Sequence, residues 1–284
     1  MIDTAQAIQA AAKTNNSPQK ETSLRRLMRE MKSVLVAYSG GVDSSYLSFI
    51  AHQELGVSAL AVMGCSPSVP AFQRTAAERL AQDFGFNFET IPTAEIQNPN
   101  YAANPSNRCY FCKSELYTKL TSIAAERDLA FVIDGTNADD TLDHRPGRLA
   151  AEERRVRSPL AEIGMTKAEI REQSKLHGLP TWDQPASPCL ASRIAPGVGV
   201  TIERLSKVER GEEFLRSAGF REFRVRVHGD LVRLEISPDE MRLAMTREMA
   251  ARFERTFKDL GFRFVTLDLT GFRSGSMNET TEQN

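Results

Sequence analysis

Apolar positions along the chain keep one rhythm over its first two thirds and another over its last third. Leu24, Leu27, Met28 and Met31 recur at helical spacing and lead into the apolar run Val34-Leu35-Val36-Ala37-Tyr38, a short buried strand. Tyr46, Leu47, Phe49, Ile50 and Leu55 then predict a well-buried helix that Gly56 ends, and Val57 to Met63 the next strand. Phe72, Ala76, Leu80 and Phe84 form a helical stripe stopped by Gly85, and Phe86, Phe88 and Ile91 a third strand. A Pro/Asn-rich loop from Asn98 to Arg108 precedes a helix marked by Leu116, Leu120, Ile123 and Ala124, after which Phe131-Val132-Ile133 is a fourth strand. Strand and helix in alternation predict an α/β fold: a parallel sheet covered on both faces, binding ligands beyond the carboxyl ends of its strands.

The second rhythm follows a Pro-, Ser- and Gly-rich stretch from Trp182 to Gly199. Ile202, Leu205, Val208 and Leu215 mark a helix. Phe223, Val225 and Val227 alternate with arginines, Gly229-Asp230 makes a two-residue turn, and Val232, Leu234 and Ile236 return as the second arm of a hairpin. A helix starting at Ser237-Pro238-Asp239-Glu240 and a strand from Phe262 to Leu269 complete a smaller α+β domain. The expected layout is a poorly ordered lead-in over 1–22 with Asn15-Asn16-Ser17-Pro18 as breaker, a first domain over 23–200, a second over 201–278, and a tail over 279–284. Arg224, Arg226 and Arg233 with Glu235 line one face of the hairpin, either a solvated face or an anion site.

A length of 284 residues suits two domains. The net charge of -1 removes any broad electrostatic case for nucleic acid or membrane partners. No run of about 18 apolar residues exists and the start lacks a secretory layout, so cytoplasm is the expected compartment. There the four cysteines serve as ligands, catalytic groups or buried fillers rather than disulfides.

Between the first strand and its helix stands Ser39-Gly40-Gly41-Val42-Asp43-Ser44-Ser45. Paired glycines let the backbone fold around an anion at which the first helical N–H groups point, so the implied ligand is a phosphate. A Walker-type loop would continue with a lysine, and none follows Gly41. Asp134-Gly135-Thr136-Asn137-Ala138-Asp139-Asp140 packs polar groups after the fourth strand, as sites do. Cys109 and Cys112 form one CxxC, Cys189 stands alone in a Ser/Pro loop, and Cys65 ends an apolar strand as a filler would. Three thiols of this spacing leave an iron–sulfur cluster, a redox pair and plain burial open.

The loop resembles the SGGxDS pyrophosphate loop of the PP-loop ATP pyrophosphatases, whose adenine nucleotide alpha hydrolase-like fold the first domain would share. That resemblance gives the amides of Gly40 and Gly41 and the hydroxyls of Ser39, Ser44 and Ser45 to pyrophosphate, and has Asp43 orient the loop or a Mg²⁺. Together with Arg108-Cys109-Tyr110-Phe111-Cys112-Lys113, the Asp134 to Asp140 run, Asp143-His144-Arg145-Pro146-Gly147, Cys189-Leu190-Ala191-Ser192-Arg193 and Thr266-Leu267-Asp268-Leu269-Thr270-Gly271-Phe272-Arg273-Ser274-Gly275, the chain resembles the LarE family from about residue 23 to residue 278.

LarE proteins are ATP-dependent sulfur transferases of nickel-pincer nucleotide synthesis, the cofactor of lactate racemase. They adenylate the carboxylates of pyridinium-3,5-biscarboxylic acid mononucleotide and replace them by thiocarboxylates. One branch sacrifices a cysteine of its own; another holds a 4Fe–4S cluster on three cysteines and passes on sulfide, and Cys109, Cys112 and Cys189 match the second. The resemblance further implies ATP and Mg²⁺ as cofactors, with Asp134 and Asp139 near adenylate, ribose or Mg²⁺. It places Ser192, Arg193, Arg224, Arg226 and Arg273 near substrate phosphate, and Glu212 and Glu235 among metal-binding carboxylates at subunit contacts. A sulfide donor, a nickel-insertion protein downstream and a hexamer complete its implications. Competing readings are a PP-loop tRNA thiolase, an amide-forming synthase and an ATP-binding redox sensor.

Overall fold

The computed structural model describes residues 16–142, 146–185 and 187–273. Residues 1–15, Asp143-His144-Arg145 of the polar loop, and the chain beyond Arg273 lie outside the described residues. The chain forms two compact units, interleaved in sequence. Of the described residues, one comprises 16–64, Thr75–Ile91 and Lys113–Ser187; the other comprises Cys65–Arg74, Pro92–Cys112 and 188–273. The expected single division near residue 200 therefore falls inside the second unit.

The first unit is α/β, as its apolar rhythm predicts. Helix α1 (Ser17–Met31) leads into β1 (Val34–Ala37), followed by α2 (Val42–Leu55), β2 (Ala59–Cys65), α3 (Ala71–Phe84) and β3 (Asn87–Pro92). Helix α4 (Arg108–Glu126), which belongs to this unit from Lys113 onward, β4 (Phe131–Asp134), α5 (Pro146–Glu153) and α6 (Lys167–Leu176) complete it. Strand order is β3-β2-β1-β4, with β1 parallel to both its neighbours. All four residues of β1 are buried, which is why its pattern is a continuous apolar run. β2 and β4 leave β1 on opposite sides, so the loops after β1 and β4 flank the topological switch point, where such sheets bind ligands.

Helix α1 begins at Ser17, not near residue 23. Pro18 lies in its first turn, where a missing N–H costs nothing, so the Ser-Pro pair opens the helix instead of breaking it. Ser17 is fully buried: its hydroxyl donates to Glu172 at 3.0 Å and accepts from Gln173 at 2.8 Å. Helix α6 opens on a capping box, Thr166 and Glu169 exchanging hydrogen bonds, and ends at His177.

In the second unit, α7 (Ile202–Ser217), β5 (Phe223–His228), β6 (Leu231–Ile236), α8 (Arg247–Asp259) and β7 (Phe264–Leu267) follow the expected order, but the helix expected from Ser237 forms only short turns at Pro238–Glu240 and Met241–Ala244, and α8 starts anew at Arg247 behind its Thr246 cap. β5 and β6 form the antiparallel hairpin and β7 joins β6 in parallel. Val225, Val227, Leu234, Ile236, Leu205, Val208, Phe253 and Phe257 belong to one core, and so do Tyr101, Leu190, Ala191, Ile194 and Val200. That shared core draws the inserted segments into this unit. Among the described residues no helix is long and apolar enough to cross a membrane.

Candidate active site

The phosphate loop of the first unit is built almost entirely from itself. Gly40 takes φ +74°, a conformation that disfavours side chains, and Gly41 caps α2 with no side-chain acceptor. No N-cap side chain occupies the first amides of α2, as an anion site at a helix start requires. The Ser44 hydroxyl closes the turn, accepting from the Ser39 amide at 3.2 Å, lying 3.0 Å from the Ser39 hydroxyl and donating to the Gly41 carbonyl at 3.2 Å. Ser44 and Ser45 are buried while Ser39 is exposed. Of the three hydroxyls expected at pyrophosphate, Ser39 is the one at the surface.

The loop after β4 supports it from beside. A Cβ on Gly135 would lie 2.9 Å from the Ser44 nitrogen, so only glycine lets the two backbones approach this closely. Asp134 is saturated: it accepts from Tyr117 at 2.7 Å, the Thr136 hydroxyl at 3.0 Å and amide at 3.1 Å, and Ser158 at 2.8 Å. These bonds make it the organiser of the strand end. Asn137 accepts from the amides of Asp139 and Asp140, and Asp139 accepts from the Lys167 amide at 2.8 Å.

Asp43 bonds through Oδ2 to the Lys167 ammonium at 2.5 Å. Its Oδ1 is buried with no hydrogen-bond partner among the described residues. Burial pushes the Asp43 carboxyl above the usual carboxylate range; Lys167 pulls it down and Asp140 adds to the rise. One open carboxylate oxygen beside an anion cradle fits Mg²⁺, which binds through one or two carboxylates plus phosphate oxygens.

All four cysteines fall in the second unit. Cys112 and Cys189 pack against its core; Cys109 is exposed on the first turn of α4. Three thiols in one unit suit a soft metal group, although no set of three or more His, Cys, Asp or Glu among the described residues closes around a metal position.

The Cys189 loop is held by groups the sequence does not advertise. Asn104, at φ +57° and buried, donates to the carbonyls of Ile194, Ala195 and Val198 at 3.2, 2.8 and 3.0 Å. Arg108 bonds Asn104 and the Ala191 carbonyl. Ser68 accepts from the Leu190 amide at 2.8 Å, and its hydroxyl meets Tyr101 at 2.7 Å. Arg193, buried, donates to the carbonyls of Pro188 and Cys189 and to the Ser192 hydroxyl, and bonds both oxygens of Glu212. Its donors secure the loop.

Arg224, Arg226, Arg233 and Glu235 do share one hairpin face, and the face is not solvated: Arg226 and Glu235 are buried. Arg226 and Arg233 both pair with Glu235, and Arg226 also donates to the Ser192 carbonyl at 3.1 Å. Glu212 and Glu235 are therefore engaged by guanidinium groups. Arg224 lies over the Phe272 ring at 4.7 Å, and burial with the nearby Arg193 charge lowers its pKa to about 10. Arg226 is lowered too, chiefly by burial. Such a concentration of guanidinium charge favours an anion. Arg273 is exposed.

No family model matches the chain. It is 44% identical over 259 residues to an uncharacterised protein of Synechocystis sp., covering 91% of this chain and 97% of that one. It is 31% identical over 243 residues to an uncharacterised protein of Methanocaldococcus jannaschii, covering 86% and 92%. To the pyridinium-3,5-bisthiocarboxylic acid mononucleotide synthase of Lactiplantibacillus plantarum it is 34% identical over 262 residues, 92% of this chain and 94% of that enzyme. Identity at this level over 92% of the chain shows that the chain belongs to the LarE family, the family of that synthase.

Proposed function

We propose that the chain is an ATP-dependent sulfur transferase that adenylates the carboxylates of pyridinium-3,5-biscarboxylic acid mononucleotide and converts them to thiocarboxylates for the nickel-pincer nucleotide. The carrying observation is the 34% identity to the synthase over 92% of the chain. The uncapped start of α2 behind Gly40 and Gly41 supports the ATP step. A carboxylate oxygen is a poor leaving group, and transfer to AMP makes it a good one. Amides aimed at the departing pyrophosphate stabilise the charge that develops there. Asp43 would take Mg²⁺ through its open oxygen, and Arg224 and Arg226 the phosphate of the nucleotide, which restores the balance their burial upsets. Ser192, Arg193 and Glu212 shape the loop in which Cys189 stands.

Cys109, Cys112 and Cys189 would hold a 4Fe–4S cluster, which when bound supplies sulfide as the soft nucleophile that displaces AMP. The same reading includes a cytoplasmic location, a hexameric assembly, an external sulfide donor and a nickel-inserting protein downstream.

Anaerobic reconstitution with iron and sulfide, followed by incubation with ATP, Mg²⁺ and the dicarboxylated nucleotide, tests the proposal. Release of AMP and pyrophosphate that requires the nucleotide, with a product in which sulfur replaces oxygen by mass, is the expected result. About four irons per chain, lost in Cys109→Ala, Cys112→Ala and Cys189→Ala, is expected of the cluster. Turnover without iron, with loss of sulfur from the protein, would replace the cluster by a sacrificed cysteine. ATP binding without pyrophosphate release would favour the redox sensor.

A further inference from the structure

Glu95 is a buried acid of the second unit that the site described above leaves without a task. It is 3% exposed; one oxygen accepts from the Ser66 hydroxyl, and the other, Oε2, is buried with no hydrogen-bond partner among the described residues. A carboxylate oxygen buried without a donor costs stability, so what this residue contributes lies in what its other oxygen holds. We propose that Glu95 is a positioning residue of sulfur transfer, holding the Cys189 loop in place through Ser66 and Ser68. The inference deepens the proposed function and rests on it.

Every link of the chain of bonds lies within one unit. The Ser66 hydroxyl, fixed by Glu95, accepts from the Ser68 amide at 3.1 Å. Ser68, also buried, presents its carbonyl to the Leu190 amide at 2.8 Å and its hydroxyl to Tyr101 at 2.7 Å. Leu190 directly follows Cys189, so the grip falls beside the thiol. Tyr101 belongs to the core against which Cys112 and Cys189 pack, and Glu95 adds to the rise that burial chiefly imposes on its phenol. Sulfur transfer is the step that a displaced loop harms. When hydrosulfide sulfur attacks the acyl carbon, a C–S bond forms, the C–O bond to AMP breaks with its electron pair leaving on the AMP phosphate, and the S–H proton passes to solvent. Sulfur held out of line yields to water, which restores the carboxylate and wastes the adenylate. Glu95 takes no proton in either course.

Two measurements on the wild type, Glu95→Leu, Ser66→Ala and Glu95→Gln test the assignment. Hydrogen exchange at the Leu190 amide, followed in the iron-free protein, should be faster by about tenfold or more in Glu95→Leu and Ser66→Ala. It should stay near wild type in Glu95→Gln, whose side-chain oxygen still accepts from Ser66. In protein reconstituted with iron and sulfide and given ATP, Mg²⁺ and the dicarboxylated nucleotide, the thiocarboxylate formed per pyrophosphate released should fall by about tenfold or more in the first two variants, with pyrophosphate release within about twofold of wild type. Glu95→Gln should restore the ratio. Unchanged exchange in Ser66→Ala, or a parallel loss of pyrophosphate and thiocarboxylate, overturns the inference alone. A wild type that releases pyrophosphate but forms no thiocarboxylate overturns the sulfur-transfer reading beneath it.

Discussion

The phosphate loop and the Cys189 loop are both short, polar and rich in functional groups, but they reach order by opposite routes. Ser39 to Ser45 close on one another: the Ser44 hydroxyl bonds two residues within the same turn, and Gly40 supplies the conformation. The Cys189 loop is fastened from afar, by Asn104 across 90 to 94 positions and by Glu212 through Arg193. A loop of the first kind needs little from its surroundings beyond room, which Gly135 provides. One of the second kind is only as ordered as the buried polar groups that hold it.

The largest expected effect breaks the second route. Arg193→Met strands Glu212 in the interior and should cost about 3–5 kcal/mol, read from urea denaturation. Arg193→Met with Glu212→Leu should regain most of it. If the double variant stays as unstable as the single one, the carbonyl contacts of Arg193, and not the ion pair, hold the loop.

Gly135→Ala tests the first route, because the new methyl presses on the backbone of Ser44. On the proposed function, a displacement of the Ser39 to Ser45 loop by ~1 Å should lower ATP-dependent pyrophosphate release by about 10²-fold, with the cysteine region unaffected in thiol titration. An unimpaired variant would show that the loop yields without loss.

The smallest effect sharpens the comparison by pH. Asp43 is pushed above the usual carboxylate range, so what it adds to stability is full below that range and is lost as pH rises through its native value. Asp43→Asn should therefore fold at least as stably as the wild type at pH 7 while losing pyrophosphate release. Glu21, outside both loops, behaves oppositely. Hydrogen bonds from His177, Arg25 and Tyr46 outweigh burial and hold it below the usual range, so its contribution is present above that range and lost on acidification. Glu21→Gln should cost about 1 kcal/mol at pH 7 and flatten the acid limb of a stability profile.

Legibility in the sequence follows the same division. The phosphate loop, the capping box of Thr166 and Glu169 and the hairpin around Gly229-Asp230 were readable because spacing within a few residues determines them. The start of α1 was not, since Ser17 is buried by partners more than 150 positions away and nothing beside it announces them. Lys167 and Asn104 carry no motif for the same reason. The resemblance set Asp134 near adenylate, ribose or Mg²⁺, with strand-end capping as the alternative, and the donors that fill its oxygens, Tyr117 and Ser158, stand 17 and 24 positions away where local spacing does not show them. The interleaved units follow from one core shared by Tyr101, Leu190 and Val225, which apolar spacing alone does not reveal.

The clamp of Asn104 on three carbonyls has a consequence for how such proteins diversify. Carbonyl oxygens are present whatever the side chains, so the clamp does not depend on which residue occupies position 189 or its neighbours. Substitution of the side chains in this segment leaves the clamp in place, so its shape and its chemistry are separable traits.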